Sequence, residues 1–512
     1  MDGPDPACPS EDVPRALSFR DPGGAVLTAK KRVFRIVNAA GMANLQAFLA
    51  SPGIIRWTGS GKVATTRTLI EAEKTDLLED PSIAQIYAGL HGESILEHER
   101  IPFPSFPYEW APEMLHAAAR LTLDLAIDLL PEGLGLKDAT PYNILFRGPR
   151  PVFIDILSLE PRDAGDAVWL AYAQFVRTFV LPLLASRYFG LTLARSLFTC
   201  RDGLEPEEVY RWLSPFQRLR PPFFSLVSLP VWLGKRHSED DTSIYGKRIL
   251  PDPEKARFIL RALLEGLQRT LDSVAPKTIT STWSRYMEMS GSYNAGQFAI
   301  KERFLQQCLD EYAPKSVLDV GCNTGHFSLL AARTGARVVA IDYDPTVVGR
   351  VWCRAQAEDL DVLPMIVDLT RPTPGAGWQN REWPSFLDRA RGAFDTVLML
   401  AVVHHMCVTE RVPLQQIVDL LAEVTSDLLV IEFVAPEDAM FRRLVRGREE
   451  LYRGLNAAVF EDAFRQRFEI VRWQEVEGRE RRLYLMRKKP GERGSMTASR
   501  SSCGEGNRQG GA

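Results

Sequence analysis

Along this chain the spacing of hydrophobic positions changes character once. Before about residue 270, apolar residues recur at helical spacing in MLHAAARLTLDLAIDLL (114–130) and PEKARFILRALLEGLQRTLDSV (253–274), each leaving one dry and one wet face. Trp169, Tyr172, Phe175 and Phe179 repeat at the same spacing, which predicts a core-facing helix. From about 276 onward, short apolar runs alternate with helical stretches: KSVLDVG, RVVAIDY, VLPMIVD, FDTVLMLAV, DLLVIEFV, FEIVRWQEV and RRLYLMRK. Strands separated by helices predict a parallel α/β sheet, and the last two, close together in the chain, an antiparallel hairpin at its edge. The ends carry no such pattern. Residues 1–15 are acidic and proline-rich, and 489–512 are rich in Gly, Ser and Arg, so both are expected to be disordered. The expected units between them are 16–270 and 276–488.

Composition narrows the classes. The 512 residues are 45% hydrophobic and 25% charged, ordinary for a folded chain. Lys+Arg total 62 against 65 Asp+Glu, a net charge of -3, which argues against a dedicated nucleic-acid binder. The 7 cysteines form no CxxC pair, so neither a zinc site nor a disulfide framework is expected, and a reducing cytoplasm fits. Arg177 and Pro230 interrupt the longest apolar stretches, so no membrane span is predicted, and the N-terminus lacks the features of a signal peptide.

The sharpest motif is VLDVGCNTGHFSLLAART (317–334). A strand ends in Asp319, a turn carries Gly321 and Gly325, and a helix follows. Glycine lets backbone approach a ligand, and a helix N-terminus offers unpaired N–H groups. The spacing is not G-x-G-x-x-G, because Asn323 stands at the second glycine. The Asp319 carboxylate at the end of the strand repels a pyrophosphate and suits a ligand bearing an ammonium group. Asp342, 23 residues after Asp319, ends the next strand where an acidic residue can accept both ribose hydroxyls. Asp368, after the third strand, can reach an adenine amino group, and the fourth strand runs into His404 and His405.

The D-x-G-C-N-T-G-x-F turn, Asp342 and the paired histidines, in that order, resemble a class I S-adenosylmethionine-dependent methyltransferase over roughly 300–488. The resemblance implies a Rossmann-like seven-stranded sheet and a cofactor cradle of Asp319, Gly321, Asn323, Gly325, Phe327, Asp342 and Asp368. A base is needed only where the acceptor must lose a proton. The candidates are His404, His405 and Glu432. Adjacent histidines on an extended stretch face opposite ways, so at most one faces the site. Upstream, WSRYMEMSGSYNAGQFAIKERF holds Tyr286, Tyr293 and Lys301. In the family such a segment covers the cofactor, which brings Tyr286 and Tyr293 to the substrate; a plain packing helix is the alternative. No D/N-P-P-Y motif follows strand four, against a DNA amino-methylase.

A second constellation lies at LGLKDATPYNILFRGPRPVFIDILSLEP (134–161). Asp138, Asn143 and Asp155 resemble the catalytic loop and metal strand of protein-kinase-like phosphotransferases, H-R-D-x-x-x-x-N followed by D-F-G. The resemblance implies an α+β kinase-like domain over 16–270 that takes ATP and Mg, with Asp138 orienting the acceptor hydroxyl and Asn143 and Asp155 holding magnesium. Leu136 stands where the family has His, Ile156-Leu157 where it has Phe-Gly, and neither a glycine-rich loop nor a V-A-I-K lysine is evident. The domain is therefore read either as a scaffold without catalysis or as an active phosphotransferase. Together the halves resemble the large methyltransferases grouped with rhizobial nodulation proteins. The expected protein is a bacterial cytoplasmic methyltransferase using S-adenosyl-L-methionine on a glycan or small metabolite. The alternatives are a bifunctional methyltransferase–phosphotransferase, and a kinase-like module that only recruits substrate.

Overall fold

The computed structural model describes residues 15–16, 20–234, 249–277, 295–476 and 481–490. Tyr286, Tyr293 and most of both expected tails lie outside them.

The N-terminal half begins with a five-stranded antiparallel sheet, β1 (Arg15–Ala16), β2 (Gly24–Ala29), β3 (Arg32–Asn38), β4 (Thr66–Thr68) and β5 (Gly92–His98), in the order β1-β2-β3-β5-β4. Asn38 ends β3 and caps the helix Ala39–Ala50 by accepting from the Ala40 and Gly41 N–H groups. A helical lobe follows. Its axis is the helix Pro112–Leu129, with ten buried residues on its apolar face, and the helix Pro253–Ser273 packs along it. Two short antiparallel pairs project from this lobe: β6 (Leu134–Leu136) with β9 (Leu159–Pro161), and β7 (Ile144–Arg147) with β8 (Arg150–Phe153).

The C-terminal half is a seven-stranded sheet of β10 (Ser316–Val320), β11 (Arg337–Asp342), β12 (Val362–Ile366), β13 (Phe394–Met399), β14 (Thr425–Val434), β15 (Phe468–Glu475) and β16 (Arg481–Lys488). The order is β12-β11-β10-β13-β14-β16-β15. Strands β10 to β14 run parallel, as their near-continuous apolar runs predict. The last two strands do pair antiparallel, but β16 slots between β14 and β15. Leu483, Tyr484, Leu485 and Met486 are all buried and need cover on both faces, whereas β15 alternates and tolerates the edge.

One hydrophobic cluster runs through both halves. Phe103 packs on Phe386 and Phe394 with centroids 6.1 and 5.4 Å away. The Arg389–Glu109 ion pair is buried in this seam, and Trp352 Nε1 donates to the Pro149 carbonyl at 2.9 Å. Trp383, in the connection after β12, stacks on Tyr142 at 4.8 Å, and the Arg201 guanidinium sits 4.7 Å from its ring. No helix among the described residues is long and apolar enough to cross a membrane.

Candidate functional site

Parallel register brings the carboxyl ends of β10, β11, β12 and β13 to one edge, where a doubly wound sheet holds its ligands. The turn after β10 folds back on β11: the Gly321 and Cys322 N–H groups both donate to the Ile341 carbonyl, at 2.8 and 3.0 Å. Gly321 has φ +72, and a Cβ there would lie 2.5 Å from a Val402 methyl. Gly325 has φ +78 and caps the helix His326–Arg333, and a Cβ on it would meet Val351 at 2.8 Å. Both positions combine left-handed backbone with close approach, which is why glycine stands there. Asn323, also left-handed at φ +48, donates its N–H to Asp342 Oδ2 at 3.0 Å.

Asp342 thus ties two loops together, its other oxygen accepting from the Asp344 N–H at 3.0 Å. Asp319 is buried beneath the turn and accepts from Ser328 Oγ at 2.6 Å. Burial pushes both carboxyls up to about 6, and each Asp319 or Asp342 charge lacks a cationic side chain to offset it among the described residues. The Val367 N–H donates to the Asp342 carbonyl at 3.0 Å, which sets Asp368 beside Asp342. Asp368 itself accepts from the Thr370 N–H and hydroxyl, at 2.9 and 2.6 Å. Phe327 is stacked on Phe298 of the helix Ala295–Tyr312 at 5.6 Å, and His326 Nε2 lies 3.0 Å from Glu302 of the same helix. The sequence-predicted cradle residues therefore converge on one edge.

The histidines differ from the expectation. They do not lie on an extended stretch: Val403–Val408 is a short helix, so the rings point about 100° apart and touch, with centroids 4.3 Å apart. His404 is buried against Phe441, and its Nδ1 lacks a partner. His405 is half-buried. Burial pulls both imidazoles below their usual range, so both are neutral at pH 7. Glu432 is fully buried on β14. Its Oε2 accepts from Lys301 Nζ at 2.5 Å, its Oε1 from Arg481 at 3.2 Å, and the Ala401 N–H also reaches it. Arg481 in turn binds both Asp438 oxygens, at 2.8 and 3.0 Å. Ala401 has φ +58, an uncommon conformation for a residue with a Cβ, so Glu432 holds a left-handed corner just before the histidine helix. Sequence reasoning missed this network; its signal was Lys301 on the apolar face shared with Phe304, Leu305 and Cys308.

In the N-terminal half, Asp138, Asn143 and Asp155 also come together. Asn143 Nδ2 donates to Ser158 Oγ at 3.0 Å, and Ser158 Oγ donates to Asp155 Oδ2 at 2.5 Å. Burial, then the nearby Asp155 charge, raises the Asp138 carboxyl above its usual range. The unexpected member is Arg35 on β3. It donates to Asp155 Oδ1 and to Asp21 Oδ2, each at 2.9 Å. A lone arginine inside the apolar run VFRIV was the sequence trace of this bridge.

Residues 293–469 match a family model described as a methyltransferase domain. Nodulation protein NoeA of Rhizobium meliloti (strain 1021) is 30% identical over 473 residues, covering 92% of this chain and 95% of that protein. A 23S rRNA (uracil(1939)-C(5))-methyltransferase RlmD of Shewanella woodyi is 35% identical over 96 residues, which are 18% of this chain and 22% of that one. The structure of N-methyltransferase NodS from Bradyrhizobium japonicum WM9, with S-adenosyl-l-homocysteine, matches with a TM-score of 0.30 at 15% identity, covering 41% of this chain and 100% of that one. The sheet, the cradle at its carboxyl edge and the family match make the C-terminal half a methyltransferase domain that uses S-adenosylmethionine, and the likeness over nearly the full length of both chains makes this chain a member of the NoeA family.

Proposed function

We propose that the chain methylates a glycan or small metabolite, with its own residues supplying position and charge. The observation that carries the cofactor half of this reading is the cradle's surplus of negative charge: two carboxyls, Asp319 and Asp342, at the ends of adjacent strands without an offsetting cation among the described residues. S-adenosylmethionine carries an ammonium and a sulfonium, and brings an already activated methyl group. In this reading Asp319 faces the amino-acid end and shapes the turn. Gly321, Asn323 and Gly325 let that turn close on the ligand. Asp342 accepts from the ribose hydroxyls, Asp368 from the adenine amino group, and Phe327 walls the turn from outside. His405, neutral and half-buried, takes the acceptor's proton. His404 holds the neighbouring ring, and Glu432, with every approach engaged, is a positioning residue for the Ala401 corner. Tyr293, expected to touch the substrate, lies outside the described residues.

A second reading makes the N-terminal half an ATP- and magnesium-dependent phosphotransferase, on the convergence of Asp138, Asn143 and Asp155. The residues do not fit that group. One Asp155 oxygen is held by Arg35 and the other by Ser158, and Asp21 sets a further carboxylate against the same guanidinium. Magnesium would have to displace an ion pair, and Asp21 would repel phosphate. We therefore read 16–270 as a kinase-like module without phosphotransfer. Calorimetric titration with S-adenosylmethionine, followed by transfer of its labelled methyl to sugar, small-molecule, protein and RNA acceptors, tests the main reading. Cofactor binding with labelling of sugars or small molecules supports it; labelling of RNA or protein alone overturns the acceptor class.

A further inference from the structure

A cavity of about 550 Å³ lies in the seam between the halves. One wall is N-terminal: the start of the helix Pro112–Leu129, the end of the helix Leu181–Phe189 and its following turn, and Lys277. The other is the helix Pro345–Ala357 with Thr324 and Ile366. None of Asp319, Gly321, Asn323, Asp342 or Asp368 lines it, so it is separate from the cradle, although Thr324 belongs to the same turn.

Its lining has two characters. The floor is apolar, with Leu183, Leu191 and Ile366. The polar groups are mostly cationic: Arg187, Lys277, Arg350 and Arg354, against a single carboxyl, Glu113. Two atoms there are buried without partners, Arg187 Nε and Glu113 Oε2, and a buried polar atom left unmade costs free energy comparable to a lost hydrogen bond. Burial also raises the Glu113 carboxyl above its usual range. Gly349 makes the room: a Cβ on it would stand 2.4 Å from Glu113 Oε2.

We infer that this seam cavity is a second binding site, for an organic anion with a phosphate or carboxylate head and an apolar body. The head is met by Arg187 and Arg350 and the body by the leucine floor. Guanidinium groups suit planar or tetrahedral oxyanions, and a cavity of this size holds a small amphiphile. Arg354 Nη1 donates to the Thr324 carbonyl at 2.9 Å, so one lining residue also grips the cofactor turn from behind.

The full chain is titrated with 2-naphthyl phosphate, followed by the probe's own fluorescence, beside 2-naphthol and inorganic phosphate. The expected result is saturable binding of 2-naphthyl phosphate that is at least tenfold tighter than either half-probe. It weakens at least tenfold in the Arg187→Gln/Arg350→Gln double variant and severalfold in Lys277→Glu, an exposed position whose substitution spares the fold. It persists within twofold in Asp342→Ala. Equal binding of 2-naphthol, indifference to both variants, or one-for-one displacement by S-adenosylmethionine overturns the inference. So does the absence of saturable binding to folded chain. The probe's signal does not depend on methyl transfer, so this site and the cofactor site succeed or fail separately.

Discussion

In the N-terminal half Asp155 and Asp21 share one guanidinium, that of Arg35; in the C-terminal half Asp319 and Asp342 share none among the described residues. In the first, each of the two carboxylates already has a cationic partner within the protein, and a cation arriving there would have to displace Arg35. The second leaves two carboxyls pushed up to about 6 by burial, an electrostatic deficit that a cationic ligand relieves. The Lys301–Glu432–Arg481–Asp438 network shows that the C-terminal half also balances buried charge where balance serves structure. The comparison separates acids paired with a cation inside the fold from acids that have none among the described residues.

The largest effect expected from breaking this contrast is on stability. Arg35→Met strands two carboxylates and should cost about 3 kcal/mol, the lower end for breaking a buried pair, because Asp155 and Asp21 keep some solvent. Urea denaturation reads it, and a loss below about 1 kcal/mol would mean the bridge contributes little. Next, Asp342→Ala should weaken S-adenosylmethionine binding in a calorimetric titration about a hundredfold, roughly two charge-assisted hydrogen bonds. Third comes pH. Both carboxyls are ionised well above 6 and take up protons below it, and the cation binds the ionised form. Affinity should hold from pH 8 to 7 and then fall, approaching about tenfold per unit for each proton taken up; a flat calorimetric profile down to pH 5 would refute the deficit. The smallest effect sharpens the contrast from the other side. Asp155→Asn should leave cofactor affinity within about twofold.

Much of the C-terminal half was legible because its information is local. All seven strands appear where short apolar runs predicted them, and the turn from Asp319 to Gly325 announces itself by residue type and order. What escaped the sequence depends on partners far along the chain. Arg35 meets Asp155 across 120 positions and Lys301 meets Glu432 across 131, and no periodicity encodes such a pairing. The histidines were misplaced because a six-residue helix directly after a strand is too short to carry a helical period. The place of β16 inside the sheet follows from burial on both faces, and the run RRLYLMRK showed that in its consecutive apolar residues.

The continuous core has a consequence for how this molecule comes apart. Phe103 of the N-terminal half packs on Phe386 and Phe394 of the C-terminal half, and the buried Arg389–Glu109 pair cannot be separated without leaving a charge without its counterion. The two halves are then one cooperative unit. Heating should give a single calorimetric transition, and cutting the chain between them should yield two insoluble fragments instead of two working modules.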